Sequence, residues 1–311
     1  ALSGSEPGQR GNESWPEPTR PLILTQANLD SLEEMLAGPP GLACFDFDNT
    51  LIQGDLGESV MYYILMQGLI AGDLPEFWQQ LNHPCIPHED VETWKRLWAI
   101  YKDQEDAFSY EKIAHGLIEA YESIAEKAGL EAAYRWTCTI FCGSSEEELA
   151  GIAKHVFEEN QLPGLAPLNL GAREIDNSIR VRRTFQNLTA RLMKAGWEVR
   201  VITASPECTI RYAANKAFGI DEQNVRGMRL AISNGILMPQ IIEPMTFDSG
   251  KVKALREITD RPIDFAAGDS FTDLAMLDEA RHTLLVDRGN QKLREHGESK
   301  GWWIIPALSI E

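Results

Sequence analysis

Two aspartates set two residues apart, Asp46 and Asp48 in the run Phe45-Asp46-Phe47-Asp48-Asn49-Thr50-Leu51, are the groups in this chain best placed to do chemistry. Three further segments belong with them by residue type: Val201-Ile202-Thr203-Ala204-Ser205, Gly250-Lys251, and Gly268-Asp269-Ser270-Phe271-Thr272-Asp273. Their order and chemistry fit phosphoryl transfer to an aspartate. In an extended segment residues two apart share a face, and a loop curling after Asp46 would aim both carboxylates at one small pocket. Two carboxylates in a partly buried site repel each other unless a cation or a shared proton intervenes, so a divalent metal is implied. Each segment also has an ordinary structural reading. Asp48-Asn49-Thr50 suits a turn or helix N-cap, Thr203-Ala204-Ser205 a strand-to-helix cap, Lys251 a solvated helix face, and the acids of the last segment a helix start complementing its dipole.

The elements that must position these groups are legible around them. Gly41-Leu42-Ala43-Cys44-Phe45 reads as a short buried strand ending at an acidic loop, the usual place for a ligand in an open α/β sheet. Trp197 to Ile202 reads as a second strand, ending at Thr203 and leading into a helix with Pro206 at its first position. Thr203, Ser205 and the free backbone N–H groups before that helix make a natural anion-binding turn. Val252, Leu255 and Ile258 follow Lys251 at helical spacing. Pro262 to Ala267 forms another strand, with Gly268 as a close-approach residue and Asp269 and Asp273 one helical turn apart.

Taken together, the four segments resemble the signature of the haloacid dehalogenase superfamily. The resemblance implies roles: Asp46 as nucleophile and metal ligand, Asp48 as general acid/base, Thr203 with Ala204 beside it and Lys251 as phosphate ligands, Asp269 as metal ligand, and Asp273 as its support. It also implies a three-layer, doubly wound, mainly parallel α/β core carrying an inserted helical cap. The expected division is a flexible leader over 1–20, the core over 21–56 and 179–311, and the cap over 57–178. In this superfamily a second aspartate two residues after the first is typical of phosphatases and mutases, whereas dehalogenases and ion-pumping ATPases lack it.

The chemistry explains why such groups would be needed. Phosphate monoesters hydrolyse so slowly unaided that a barrier reduction on the order of 20 kcal/mol must be supplied. A carboxylate nucleophile splits the reaction into formation and hydrolysis of an aspartyl phosphate. Its approach to a phosphate dianion is repulsive until a cation, Lys251 and backbone N–H groups offset the charge. Mg²⁺ prefers one or two carboxylates with waters and substrate phosphate, a demand met by Asp46, Asp269 and a backbone carbonyl near Asp48. Zinc is disfavoured because no His or Cys falls among the segments. Asp48 must give and take a proton, so its pKa has to be raised relative to that of Asp46.

The segment 57–178 reads as mostly helical, with helices expected at Glu58 to Ile70, Val91 to Tyr101, Tyr110 to Lys127 and Ser145 to Asn160. It resembles the cap of the phosphoserine-phosphatase-like branch, and Trp136 through Gly143 with Thr203 to Glu207 more closely resembles phosphorylcholine phosphatases and their relatives. Asp55 falls where phosphoserine phosphatases carry an acid that holds the substrate amine, and Glu58, Tyr62 and Tyr63 continue that face. A few aromatics with an acidic partner could cage an ammonium. The stripe Trp94, Trp98, Tyr101 suits packing better than ligand binding. Arg180, Arg182 and Arg183 read as solvated surface groups or, alternatively, as contacts for an anionic substrate.

Composition sets the outer limits. With 311 residues, 43% hydrophobic and 24% charged, the chain can bury one large or two modest cores. Its net charge of -18 argues against nucleic-acid and anionic-membrane partners. No apolar run approaches a membrane span, so a soluble protein acting on a small-molecule phosphomonoester is expected. The Gly-, Pro-, Ser- and Glu-rich start reads as a flexible leader, a removed signal peptide is one reading of the initial Ala, and a periplasmic or secreted location is expected over the cytoplasm. The five cysteines are an odd number, and Cys138 and Cys142, four apart, can share a helix face and pair or stay free. The six histidines show no metal spacing. The expected activity is Mg²⁺-dependent hydrolysis of a small amine-bearing phosphate such as phosphocholine, phosphoethanolamine or phosphoserine. A phosphotransferase or mutase using the same intermediate, or a non-catalytic phosphate sensor, are the alternatives.

Overall fold

The structure, a computed structural model, describes residues 24–170 and 173–307. The expected leader at 1–20 lies outside the described residues. The chain opens with α1 (Gln26–Ala37) and β1 (Leu42–Phe45), followed by a tight turn over Phe47–Leu51 and the two-residue strand β2 (Ile52–Gln53). Six helices follow: α2 (Leu56–Met66), α3 (Pro75–Gln80), α4 (His88–Gln104), α5 (Ala107–Ala128), α6 (Leu130–Phe141) and α7 (Glu146–Glu159). The short strands β3 (Leu168–Leu170), β4 (Arg173–Ile175) and β5 (Arg180–Val181) return the chain to α8 (Arg183–Lys194), β6 (Glu198–Pro206), α9 (Glu207–Phe218), β7 (Val225–Ser233) and β8 (Ile236–Ile242). The last third alternates α10 (Ser249–Arg256), β9 (Phe265–Gly268), α11 (Leu274–Glu279), β10 (His282–Asp287), α12 (Gln291–Lys300) and β11 (Trp303–Pro306).

Seven strands form one sheet in the order β11-β10-β9-β1-β6-β7-β8, parallel throughout except for the β7–β8 edge pair. The mainly parallel α/β fold class is therefore as expected. β1 and β9 are buried along their whole length, which is why they read as unbroken apolar runs. Alternate residues of β1 serve the two faces of the sheet. Ala43 and Phe45 join the core that includes Leu32 of α1, Phe185 of α8 and Ile210 of α9. Leu42 and Cys44 join the opposite core, with Leu255 of α10, Leu277 of α11 and Leu293 of α12. Phe45 meets Phe185 edge-on at 6.2 Å and Phe265 at 5.5 Å. Burying a phenylalanine side chain of this kind contributes on the order of 2–3 kcal/mol.

The chain winds outward from β1 in both directions, through β6 to β8 on one side and through β9 to β11 on the other. The order of strands reverses at β1, and a crevice opens at such a switch point beyond the carboxyl ends of the strands. Asp46 is the first residue past β1, Asp269 the first past β9, and Thr203 lies in β6.

The helices α2–α7 lie in sequence between β2 and β3. They dock on the sheet edge, where Gly143 N–H donates to Leu237 O at 2.9 Å and Leu237 N–H to Ser144 O at 2.8 Å. Four of the six correspond to expected helices. α2 begins earlier than expected because the Asp55 side chain caps it by accepting from Glu58 N–H at 2.8 Å. α7 starts on a full capping box between Ser145 and Glu148. α3 and α6 were not expected from the sequence; α6 starts one residue past Gly129, whose φ of 92° breaks it from α5. Trp94 and Trp98 are buried core residues, and Trp98, Tyr101 and Tyr110 form one aromatic cluster.

Two local readings change. β6 continues past Thr203 to Pro206, so Pro206 takes the capping position of α9 instead of its first helical turn. Cys138 and Cys142 are both free and buried. Cys142 caps α6 with an extended backbone and turns its thiol to Thr139 O at 3.1 Å, so the helical register that would align the pair ends before it. Among the described residues no helix is long and apolar enough to cross a membrane.

Candidate active site

Asp46 leaves β1 with its N–H bonded to Ala267 O at 2.9 Å, so the β1 and β9 ends are level when the acidic loops begin. Its Oδ1 accepts from Lys251 Nζ at 2.6 Å, and the same ammonium donates to Asp273 Oδ1. Lys251 reaches this point from the first turn of α10, and it is 1% exposed. The turn before it is pinned by Asp248, whose N–H donates to Thr272 O at 2.7 Å and whose Oδ1 accepts from Ala275 N–H at 3.1 Å. Asp273 Oδ2 accepts from the N–H groups of Asp269 and Ser270, both at 3.1 Å, and so shapes the loop that carries Asp269. Gly268 permits this: a Cβ there would lie 2.7 Å from Asp273 Oδ2.

Thr50 Oγ1 stands 3.2 Å from both Asp46 Oδ2 and Asp269 Oδ1, and its single proton can serve only one of them at a time. Carboxylate oxygens of Asp46, Asp269 and Asp273 lie within 4.8 Å of one another, all on buried residues. Burial, and then the charge of Asp273, pushes Asp46 well above the ordinary carboxylate range despite Lys251. Asp269 is pushed up to about 6 by burial and Asp273, against the pull of Arg288. Lys251 is raised: burial opposes its charge, and Asp273 and Asp46 outweigh that cost. An all-oxygen, buried and mutually repelling donor set fits a hard divalent cation.

Asp48 occupies a different environment. The turn passes through Asp48 at φ -68°, ψ 132° and Asn49 at φ 60°, and Asn49 N–H closes it on Gly54 O at 2.9 Å. This swings the Asp48 carboxylate away from the acidic cluster, where Oδ1 accepts from Leu56 N–H and Oδ2 from Ser205 Oγ, both at 2.7 Å. Its pKa is raised by burial, with both hydrogen bonds opposing. Gly57 lets α2 approach this close: a Cβ there would be 2.2 Å from Ser205 Oγ.

Both aspartates open on one cavity of about 250 Å³. Its sheet-side wall carries Asp46, Asp48, Thr203, Ala204, Ser205 and Asp269, and its helical wall carries Asp55, Glu58, Met61, Tyr121, Tyr134 and Phe141. Lys251 and Asp273 lie under the floor, behind Asp46. Glu58 Oε1 accepts from Tyr121 Oη at 2.7 Å. Asp55 is pushed well above its usual range by burial, then by Asp48 and Glu58.

Tyr62 does not line this cavity. It is buried in α2, because the helix turns residues 58 and 61 toward the opening and rotates position 62 into the helix packing. Tyr63 packs edge-on against His155 at 5.4 Å. Nor is Arg182 a surface group. It is 2% exposed and ties the turn after Asp46 to the residue after β11, donating from Nη1 to Ala307 O at 2.7 Å and from Nη2 to Asn49 O at 3.3 Å. Arg180 and Arg183 are exposed.

Sequence reasoning missed Arg288, which lines the cavity and donates from Nη1 to Asp269 Oδ2 at 2.9 Å. A signal was present, since β10 (His282–Asp287) carries the apolar run Leu284-Leu285-Val286 and Arg288 stands just past its carboxyl end, the position that singled out Asp46 and Asp269.

The site is thus an acidic loop, an acidic cluster and a buried lysine at the switch point of a doubly wound α/β sheet. The chain belongs to the haloacid dehalogenase-like hydrolase family, whose model matches residues 43–278. It is 28% identical over 228 residues to a phosphorylcholine phosphatase from Pseudomonas aeruginosa, an alignment covering 71% of this chain and 56% of that protein. The chain thus spans little more than half the length of that relative. In fold it is similar to a conserved protein of unknown function from Anaerococcus prevotii, with a TM-score of 0.72 and 18% identity over 90% of this chain and 91% of the other. A second protein of unknown function, from Bordetella pertussis, gives a TM-score of 0.57 and 16% identity over 87% and 100%.

Proposed function

We propose that the protein is a divalent-cation-dependent phosphomonoesterase acting through an aspartyl phosphate on Asp46, and that its substrate is a small phosphate ester carrying an ammonium group. One observation carries the reading. Two aspartates two residues apart open on the same cavity with different partners: Asp46 lies beside Lys251 in an acidic cluster, and Asp48 is held by Ser205 and the start of α2. Such separation of environments is what assigns a nucleophile and a proton carrier to a pair of like groups.

Asp46 attacks phosphorus as the bond from phosphorus to the leaving oxygen breaks, and Asp48 gives its proton to that oxygen. Water then attacks the phosphoryl group, the bond to Asp46 breaks, and Asp48 recovers a proton from the water. Burial raises Asp48, as a proton carrier requires, but raises Asp46 further, the reverse of the order expected from the sequence; a cation beside Asp46 would favour the anionic form that the attack needs. Thr203, whose Oγ1 accepts from Ser205 N–H at 3.1 Å and so keeps its hydroxyl proton, receives a phosphoryl oxygen beside Ala204, with Lys251 holding Asp46. Asp46 and Asp269 would hold Mg²⁺, which would offset the charge that otherwise keeps a phosphate dianion away from Asp46. Asp273 is committed to Lys251 and two backbone N–H groups, so it supports the site without being needed as a ligand.

The helical wall supplies selectivity and acts as a cap. Asp55 and Glu58 set carboxyl groups opposite the phosphate end, where an ammonium would favour the charged form of Asp55 against the burial that raises it, and Tyr121, Tyr134 and Phe141 bring aromatic surface that suits an ammonium. The likeness to a phosphorylcholine phosphatase supports the same class of substrate.

The test is phosphate release from phosphocholine, phosphoethanolamine, phosphoserine, glycerol phosphate, sugar phosphates and nucleotides, with Mg²⁺ and with chelator. A Mg²⁺-dependent preference for an ammonium-bearing ester is expected. Asp55→Asn should lower that preference relative to an aryl phosphate, and equal losses on both substrates would remove Asp55 from amine recognition. Transfer of the phosphoryl group to an added alcohol in preference to water would make the enzyme a transferase.

A further inference from the structure

The cavity is short of positive charge for the ligand proposed above. Among its described lining residues Asp46, Asp48, Asp55, Glu58 and Asp269 are acidic, and Arg288 is the one cation. Lys251 does not make up the shortfall. It is buried behind Asp46 and shared with Asp273, so two carboxylates already compensate its charge.

Arg288 follows directly on β10, at the sheet end where Asp46 and Asp269 stand. Its side chain is 49% exposed, so it can move without disturbing the core. A guanidinium offers five N–H donors, and the bond from Nη1 to Asp269 Oδ2 engages one of them. Arg288 lines the same cavity as Asp55 and Tyr134 of the helical wall, so it faces both walls. Asp269 is buried with a carboxylate oxygen within 4.8 Å of those of Asp46 and Asp273, and this guanidinium offsets its charge. A divalent cation held by Asp46 and Asp269 would take over that neutralisation and leave the guanidinium free. Its planar fork matches two oxygens of a phosphoryl group, a fit that a lysine ammonium lacks.

We propose that Arg288 is a substrate-binding residue that rests on Asp269 in the free protein and moves to the non-bridging phosphoryl oxygens when a phosphomonoester enters. The proposal rests on the phosphomonoesterase reading and adds a phosphate contact from outside the four sequence segments.

Inorganic phosphate is the probe, titrated calorimetrically into the full chain at saturating Mg²⁺, with Mg²⁺ affinity measured separately in the same way. Arg288→Gln should weaken phosphate binding about ten- to hundredfold, the effect of losing a charge-assisted hydrogen bond. Arg288→Lys should fall between, and added guanidinium should tighten phosphate binding to Arg288→Gln without affecting the unsubstituted protein. Mg²⁺ affinity should be unchanged or higher in Arg288→Gln. Unaltered phosphate binding in Arg288→Gln would overturn the proposal. So would a loss that disappears when Mg²⁺ is raised further, since Arg288 would then act only by holding Asp269. A protein that binds no phosphate at all would overturn the phosphomonoesterase reading as well, whereas normal hydrolysis with an indifferent Arg288 would overturn this proposal alone.

Discussion

Lys251→Met tests the electrostatic logic of the site independently of any substrate. The ammonium is 1% exposed and is shared between Asp46, at 2.6 Å, and the fully buried Asp273. Methionine keeps most of the volume and removes the charge, leaving two buried carboxylates beside a third, with oxygens within 4.8 Å of one another. Breaking a buried ion pair by deleting one partner costs about 3–5 kcal/mol, and two acceptors losing the same donor place this case toward the upper end. Protonation limits the loss. Without Lys251, burial and mutual repulsion act unopposed, so the folded-state carboxylates bind protons more readily than in the unfolded chain, where the reference value is about 3.9. Groups whose folded pKa is raised in this way destabilise the protein as pH rises above the unfolded value, so the deficit of the variant should grow from pH 5 to pH 7.5. Urea unfolding followed by the fluorescence of the eight tryptophans, with chelator present, measures it at both pH values. Adding Asp273→Asn to the variant should recover part of the loss, because it removes one of the stranded charges. A Lys251→Met protein within about 0.5 kcal/mol of the unsubstituted chain at pH 7.5, the range of neutral surface changes, would refute the reasoning. So would a deficit equal at both pH values.

Other consequences can be measured directly. Asp46→Asn keeps the shape of the side chain and should abolish turnover while circular dichroism stays native; substantial residual hydrolysis would exclude Asp46 as nucleophile. Gly57→Ala puts a methyl group 2.2 Å from Ser205 Oγ and must push it off Asp48, so turnover should fall about tenfold or more while phosphate affinity holds. An unchanged rate would show that the Ser205 contact does not matter to Asp48. Burial pushes the thiols of Cys44, Cys142 and Cys208 up to about 12 and that of Cys138 up to about 11, so near neutral pH these four remain protonated and unreactive. Iodoacetamide at pH 7.5 should therefore label the half-buried Cys85 alone in the native protein, and rapid labelling of any of the other four would contradict the packing around them.

The sheet and the residues at its strand ends were legible because both are written locally. Short apolar runs such as Leu42–Phe45 and Phe265–Gly268 read as buried strands, and acids or hydroxyls just beyond them fall in the switch-point crevice once the strands are parallel. Helix starts such as Ser145 were legible for the same reason, since a capping box spans four residues. α6 was not, because Gly129 separates it from α5 by one residue and its apolar face is completed by partners distant in sequence.

The sequence by itself determined the residue types gathered at the site, the order of the segments and the mainly parallel core. The tertiary structure decided what each group faces. The left-handed turn at Asn49 sends Asp48 to Ser205 and Leu56 while Asp46 stays with Lys251, and no spacing rule carries that divergence. Position 58 of α2 meets the cavity and position 62 does not, because the packing of the helix sets its rotation. Arg182 is buried and Arg288 enters the cavity, although both are arginines beside short strands. In each case the outcome depends on burial and on partners brought from far along the chain, and those exist only once the strands and helices have assembled.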